Sequence, residues 1–277
     1  MQRRDFLLRT GLVLGASAVA AAGRAAAVAP APPAEDPSDW ESVRAQFDLA
    51  PDRIHLACFF LASHPRPVRE AIERHRRGLD ADPYGYFIAN AERAHGEVLA
   101  AASEYLGVSP TDIALTGNTT MGLGLLYGGL ALRPDQEILT SFHDHYATET
   151  SLRQSAARSG AKVRQIALYQ DGAKASREEI VDAIVRATGP RTRVVALTWV
   201  HSGTGVKLPV PAIAQALAAV NARRAEDERA LLCVDGVHGL AVDDVTLPEL
   251  GCDFFIAGTH KWLFGPRGTG LIWGRPE

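Results

Sequence analysis

The chain has 277 residues, 47% of them hydrophobic and 22% charged, with a formal net charge of −3. That is the composition of a globular protein with ample apolar material for a core. The charge balance leaves no electrostatic footprint for nucleic acid or an anionic membrane. Three cysteines, Cys58, Cys233 and Cys252, are too few for a disulfide framework, and the last two sit in apolar runs as small buried hydrophobes.

Residues 1–29 read as an address. Arg3-Arg4-Asp5-Phe6-Leu7 is a twin-arginine pattern; a weakly apolar stretch, Gly11 to Ala22, follows, then the small-residue exit Ala25-Ala26-Ala27. The apolar stretch is too short for a hydrocarbon core that needs ~20 residues. Export by the twin-arginine route to the periplasm or beyond is therefore expected, with no membrane attachment once the signal is cut. Residues 30–38 read as a Pro/Ala linker and 39–277 as the mature domain.

From about Pro65 the chain alternates helical and strand patterns. Helical spacing covers 67–77 and 90–106; Ile113 to Leu115 is a short apolar run and Thr119 to Leu130 a helix. Strands follow at 137–142 and 163–168, around a helix at 146–158 stopped by Gly160. Ser176-Arg177-Glu178-Glu179 is a capping box opening the helix to Ala187. Arg193 to Val200 reads as a strand covered on both faces, and 209–224 as a helix with Pro at its start. Strands at 230–234, 254–257 and 270–273 complete the pattern. Such alternation predicts an α/β fold, a mostly parallel sheet wrapped by helices, with ligands at the carboxyl ends of the strands.

Four strand ends carry chemistry. In Thr116-Gly117-Asn118-Thr119-Thr120, free backbone N–H groups, a helix dipole and two hydroxyls surround one point, a seat for phosphate, although a simple helix cap has the same pattern. In Ser141-Phe142-His143-Asp144-His145-Tyr146 a histidine could stack on a flat cofactor; an H-x-H pair without a third ligand argues against metal. Asp235, directly after a buried strand, needs a cation or several donors: a protonated pyridine nitrogen would serve, and a carboxylate that simply caps a loop has the same pattern. Lys261, within Gly258-Thr259-His260-Lys261-Trp262-Leu263-Phe264-Gly265-Pro266-Arg267-Gly268-Thr269-Gly270, sits either on a surface turn or where burial could lower a lysine pKa enough for imine chemistry.

The order and spacing of these segments resemble the class V aminotransferase family of fold-type I pyridoxal 5'-phosphate (PLP) enzymes, in its isopenicillin N epimerase-like and cysteine desulfurase-like branches. The glycine-rich Lys261 segment is close to the family's lysine signature, and Asp235 lies 26 residues before it. The resemblance runs from about residue 53 to the end. It implies a three-layer αβα fold, the large domain of a PLP-dependent transferase, with the family's small C-terminal domain missing beyond Glu277. That domain normally supplies the arginine for the substrate carboxylate and, in desulfurases, the catalytic cysteine.

The resemblance also implies roles. Lys261 would form the Schiff base and shuttle protons at Cα, and Asp235 would hold the pyridine nitrogen protonated. His238 would lie near the phenolic oxygen. Thr119, Thr120 and His260 would hold the phosphate. His145, or alternatively His143, would stack on the ring, and His201 falls where relatives place an Asn or Ser near the cofactor. Met121 departs from the family, whose members usually have Glu there. The activity implied is on the amino-bearing carbon of an amino acid or amine, by transamination, epimerisation or elimination, in a homodimer. Alternatives are a desulfurase or selenocysteine lyase-like reaction, or an exported PLP-fold binding protein without catalysis. A nucleotide-binding dehydrogenase is disfavoured, because Gly122, Gly124 and Gly128 do not have G-x-G-x-x-G spacing.

Overall fold

The computed structural model describes residue 36 and residues 38–276. The expected signal peptide and nearly all of the expected linker lie outside the described residues. The chain divides into two units, residues 1–46 and 47–277. In the first, Asp39 accepts from Ser42 N and opens a short helix, α1 (Trp40–Ala45).

The second unit contains, in order, α2 (Arg66–Ala81), α3 (Pro83–Leu106), β1 (Ile113–Thr116), α4 (Thr119–Gly129), β2 (Glu137–Ser141), α5 (Tyr146–Ser159), β3 (Lys162–Ile166), α6 (Arg177–Ala187), β4 (Thr192–Thr198), α7 (Val210–Asn221), β5 (Leu231–Asp235), α8 (Leu247–Leu250), β6 (Phe254–Gly258) and β7 (Gly270–Gly274). Helix α3 begins seven residues before the expected 90: Pro83 occupies the first turn, where its missing N–H costs nothing, and Asp82 caps Gly85 N. The capping box expected at 176–179 forms in half, with Ser176 Oγ accepting from Glu179 N at 3.0 Å. Strand ends shift by one or two residues. Strands β3 and β4 stop before their apolar runs do, because burial continues past the last ladder hydrogen bond, as at Leu168 and Trp199. Strands β1, β5, β6 and β7 run one residue on, where Thr116, Asp235, Gly258 and Gly274 still pair.

The seven strands form one sheet in the order β1-β7-β6-β5-β4-β2-β3. Pairings from β3 through β6 are parallel, and β7 runs antiparallel to both β6 and β1. Side chains alternate between two cores, as strand geometry requires. Val195 and Leu197 face one core with Ile180 and Ile184 of α6 and Ile213 and Leu217 of α7. Val194 and Ala196 face the other with Leu123 and Tyr127 of α4 and Leu152 of α5. Helices on both faces of a mostly parallel sheet make the expected three-layer αβα architecture. Each fully buried large aliphatic side chain contributes roughly 1.5–3 kcal/mol, so β4 and β5, buried on both faces, anchor the structure.

Register decides what meets at the sheet's edge. Thr198 pairs with Asp235, and Asp235 with Ile256, so the ends of β4, β5 and β6 lie side by side. Glycines permit tight packing behind them: a Cβ on Gly236 would stand 2.0 Å from the Phe255 ring.

Candidate active site

A cavity of about 890 Å³ opens at these carboxyl ends. Parallel strands point all their carboxyl ends the same way, so loops after β1, β2, β4, β5 and β6 converge there. Of the residues expected from sequence, Thr119, Thr120, His145, Asp235, His238, His260 and Lys261 line this one cavity.

Asp235, the last residue of β5, is 2% exposed. Its Oδ1 accepts from Val237 N at 3.1 Å. Burial drives its pKa up to about 7; the nearby Asp144 adds to the rise, while the Val237 N–H and Lys261 oppose it. A carboxyl so placed sits ready for a cationic partner that shares its burial.

Lys261 follows β6 in a turn tied by Phe264 N to Lys261 O and Gly265 N to Thr259 O. Phe264 has a φ of +56°. Its ring meets Phe47 edge-on at 5.3 Å, and its carbonyl lies 3.3 Å from His64 Nδ1, contacts that hold a strained backbone beside the lysine. Lys261 Nζ lies 3.3 Å from His238 Nε2, and Trp262 Nε1 donates to His238 Nδ1 at 3.2 Å. Burial lowers the Lys261 pKa, opposed by Asp235. Burial first, then Lys261 and His145, bring His238 down to about 4.

On the other side stands the N-terminus of α4. Asn118 Oδ1 caps it by accepting from Met121 N at 2.8 Å. The remaining first-turn N–H groups have no intrahelical acceptor, and the helix dipole favours an anion there. Thr119 Oγ1 accepts from Gly258 N at 2.8 Å, which leaves its own O–H to donate elsewhere. His260 Nδ1 is buried and without a hydrogen-bond partner. An orphaned ring nitrogen beside a helix N-terminus and two hydroxyls makes a seat for a phosphate group.

The two histidines left open by sequence are separated by their positions. His145 caps α5, with Nδ1 accepting from Ala147 N at 3.2 Å, and faces the cavity. His143 does not line it, and stacks on Tyr169 with ring centroids 4.0 Å apart. His201 is also absent from the cavity wall: it is 1% exposed, with Nδ1 2.9 Å from the Tyr169 hydroxyl. Its neighbour Ser202 lines the cavity in its place. Behind both, Asp144 accepts from Thr140 Oγ1, Ser141 N, Ser141 Oγ and Thr198 N, and so ties the end of β2 to the end of β4.

Sequence reasoning did not assign Ser202, Asn118 or Arg267, which also line the cavity. Asn118 stood inside the expected phosphate motif. Arg267 stood inside the glycine-rich lysine segment, while Ser202 carries no local signal, since only folding brings it to the opening. Among the described residues no group of three or more His, Cys, Asp or Glu side chains is placed to hold a metal ion.

Residues 80–277 match the family described as Aminotransferase class-V. The isopenicillin N epimerase of Streptomyces clavuligerus is 29% identical over 238 residues, covering 85% of this chain and 56% of that protein. The probable cysteine desulfurase of Pseudomonas aeruginosa is 30% identical over 251 residues, covering 87% of this chain and 59% of that protein. The chain thus spans less than two thirds of the length of these relatives. Among solved structures, the cystine C-S lyase C-DES in complex with its reaction product cysteine persulfide aligns with a TM-score of 0.64 at 25% identity, over 79% of this chain and 56% of that one. The cysteine desulfurase CsdA from Escherichia coli shares the fold, with a TM-score of 0.67 at 23% identity over 84% of this chain and 57% of that one. With the matched family spanning most of its length and the strand-end residues gathered at one cavity, this chain belongs to the class-V aminotransferase family.

Proposed function

We propose that this protein is a PLP-dependent enzyme acting at the amino-bearing carbon of an amino acid or amine, with Lys261 as the cofactor lysine. The observation that carries the reading is the meeting, in one cavity, of a buried carboxyl, a lysine with a lowered pKa and an anion seat. The residues fit PLP: the orphaned His260 Nδ1, the α4 N-terminus, Thr119 and Thr120 suit its phosphate, and Asp235 suits a protonated ring nitrogen. His145 suits the ring face, and His238 the phenolic oxygen.

When bound, PLP supplies an electron sink for negative charge developing on the substrate carbon. The protein's own residues do the rest. Asp235, as a buried carboxylate, would accept from a protonated ring nitrogen and so keep the proton there. Lys261, as a free amine, accepts the proton leaving the substrate carbon and returns it, as a general base and acid must. Loss and return at the same carbon gives epimerisation, return elsewhere gives transamination, and loss of a leaving group gives elimination. The 29% identity to an isopenicillin N epimerase and the 30% identity to a probable cysteine desulfurase support a reaction in this group.

Residues 1–29 act as a twin-arginine signal, 30–38 as a linker and 39–277 as the PLP-binding domain, so that the mature protein works in the periplasm or outside the cell. The protein works as a homodimer, a reading supported by exposed apolar side chains at the cavity mouth: Phe60 is 73% exposed and Tyr146 70%.

Incubation with PLP followed by borohydride tests the central claim. A pyridoxyl group trapped on Lys261, and lost in Lys261→Ala, is the expected result. A folded protein that traps nothing on Lys261 overturns it and favours a binding protein without catalysis.

A further inference from the structure

Lys261 adds to a carbonyl only when its nitrogen has a lone pair, and a hydrogen-bonded neighbour on the cavity wall bears on whether it has one. Trp262 Nε1 donates to His238 Nδ1, and His238 Nε2 faces Lys261 Nζ. An indole nitrogen donates and never accepts. His238 Nδ1 must therefore be an acceptor, carrying no proton. The neutral imidazole then bears its proton on Nε2, and that N–H points at Lys261. An ammonium group has three donors and no lone pair, so it cannot complete the chain, whereas a free amine can. Trp262 does not line the cavity, and its indole N–H meets the lysine's own partner, His238.

Resting on the reading of Lys261 as the cofactor lysine, we infer that Trp262 is a positioning residue whose N–H fixes the tautomer of His238, which in turn holds Lys261 as the free amine. In the addition this prepares, the amine nitrogen bonds to a carbonyl carbon. The carbonyl oxygen leaves as water, taking up two protons as the amine gives up its own.

Burial acts on the lysine in the same direction, and Asp235 is the charge that opposes it. Asp235 approaches from the end of β5, His238 from the turn after it, His145 from the start of α5 and His260 from the preceding residue. Of these only Asp235 favours an ammonium, and its own pKa of about 7 leaves it partly protonated at neutral pH. His238, at about 4, is neutral there, as the relay requires.

The test reads the proton on Lys261 without any cofactor: acylation by acetic anhydride across a pH series, followed by mass spectrometry of the Lys261 peptide. Two variants remove the donor. One is Trp262→Phe. The other places benzothienylalanine at 262, exchanging the indole N–H for sulfur at nearly constant shape, and it carries the test if the first does not fold. Both are expected to cut the acylated fraction at neutral pH roughly tenfold, the worth of one hydrogen bond to a group that changes charge. The profile midpoint moves up. His238→Gln, whose amide can accept from Trp262 and donate to Lys261, is expected to keep the wild-type profile. In a His238→Leu background, Trp262→Phe is expected to add nothing.

An unmoved profile in the folded benzothienylalanine protein overturns the inference. So does an equal shift from Trp262→Phe with and without His238. Either result alongside a pyridoxyl group trapped on Lys261 removes the relay and leaves the proposed function standing; failure to trap that group removes the function itself.

Discussion

Asp235→Asn isolates the cost of keeping a carboxyl at the heart of the site. The wild-type group has its pKa raised from 3.8 to about 7, chiefly by burial. Between those values the folded protein keeps a proton that the unfolded chain has lost, so stability falls as pH rises through the window. The loss is complete above pH 7. At about 1.4 kcal/mol for each pH unit, it amounts to at most about 4 kcal/mol. Asparagine does not titrate and can still accept from Val237 N. The variant should therefore be more stable than wild type at pH 8, by up to about 4 kcal/mol, and the difference should shrink toward pH 4. The histidines of the site act in the opposite sense. His238, lowered to about 4, removes stability as pH falls below 6.5, and it does so in both proteins. The quantity to measure is accordingly the difference between the two proteins in urea unfolding without PLP, at points from pH 4.5 to 8. Added PLP should stabilise wild type more than the variant, since only wild type can pair a protonated ring nitrogen with an anion. A difference that does not change with pH, or a variant less stable than wild type at pH 8, refutes the reasoning.

Other perturbations separate packing from chemistry. Asp144→Ala leaves the donors of Thr140, Ser141 and Thr198 without their shared buried acceptor, and should lower urea stability by about 3 kcal/mol. Asn118→Ala removes the cap of α4, which should cost about 1 kcal/mol in thermal or urea unfolding and weaken competition by inorganic phosphate for PLP binding. Gly236→Ala drives a methyl into the Phe255 ring and should destabilise by about 1–3 kcal/mol, whereas Gly124→Ala, with nothing within 4 Å of the new carbon, should stabilise by about 0.5–1 kcal/mol. Their urea midpoints should move in opposite directions.

The residues that bear charge or anchor the cofactor seat were legible in the chain because each depends on its immediate neighbours. Lys261 stands among glycines, Asp235 directly ends an apolar run, and Thr119 and Thr120 follow a strand and open a helix. The αβ alternation was legible for the same reason, since strands buried on both faces read as unbroken apolar runs. What tertiary structure alone decided is which side chains from distant segments share a space. Chain order places His143, His145 and His201 near strand ends, but not on which side of the wall they point; packing against Tyr169 removes His143 and His201 from the cavity and leaves His145 and Ser202 on it. The position of β7 between β6 and β1 is likewise set by ladder pairing. So is the relay from Trp262 through His238 to Lys261, which closes a gap of 23 residues. Local pattern determined which residues could do chemistry, because propensity and periodicity act over a few residues. Sheet register and two-sided packing determined which of them meet, because those contacts depend on parts of the chain that sequence proximity does not join.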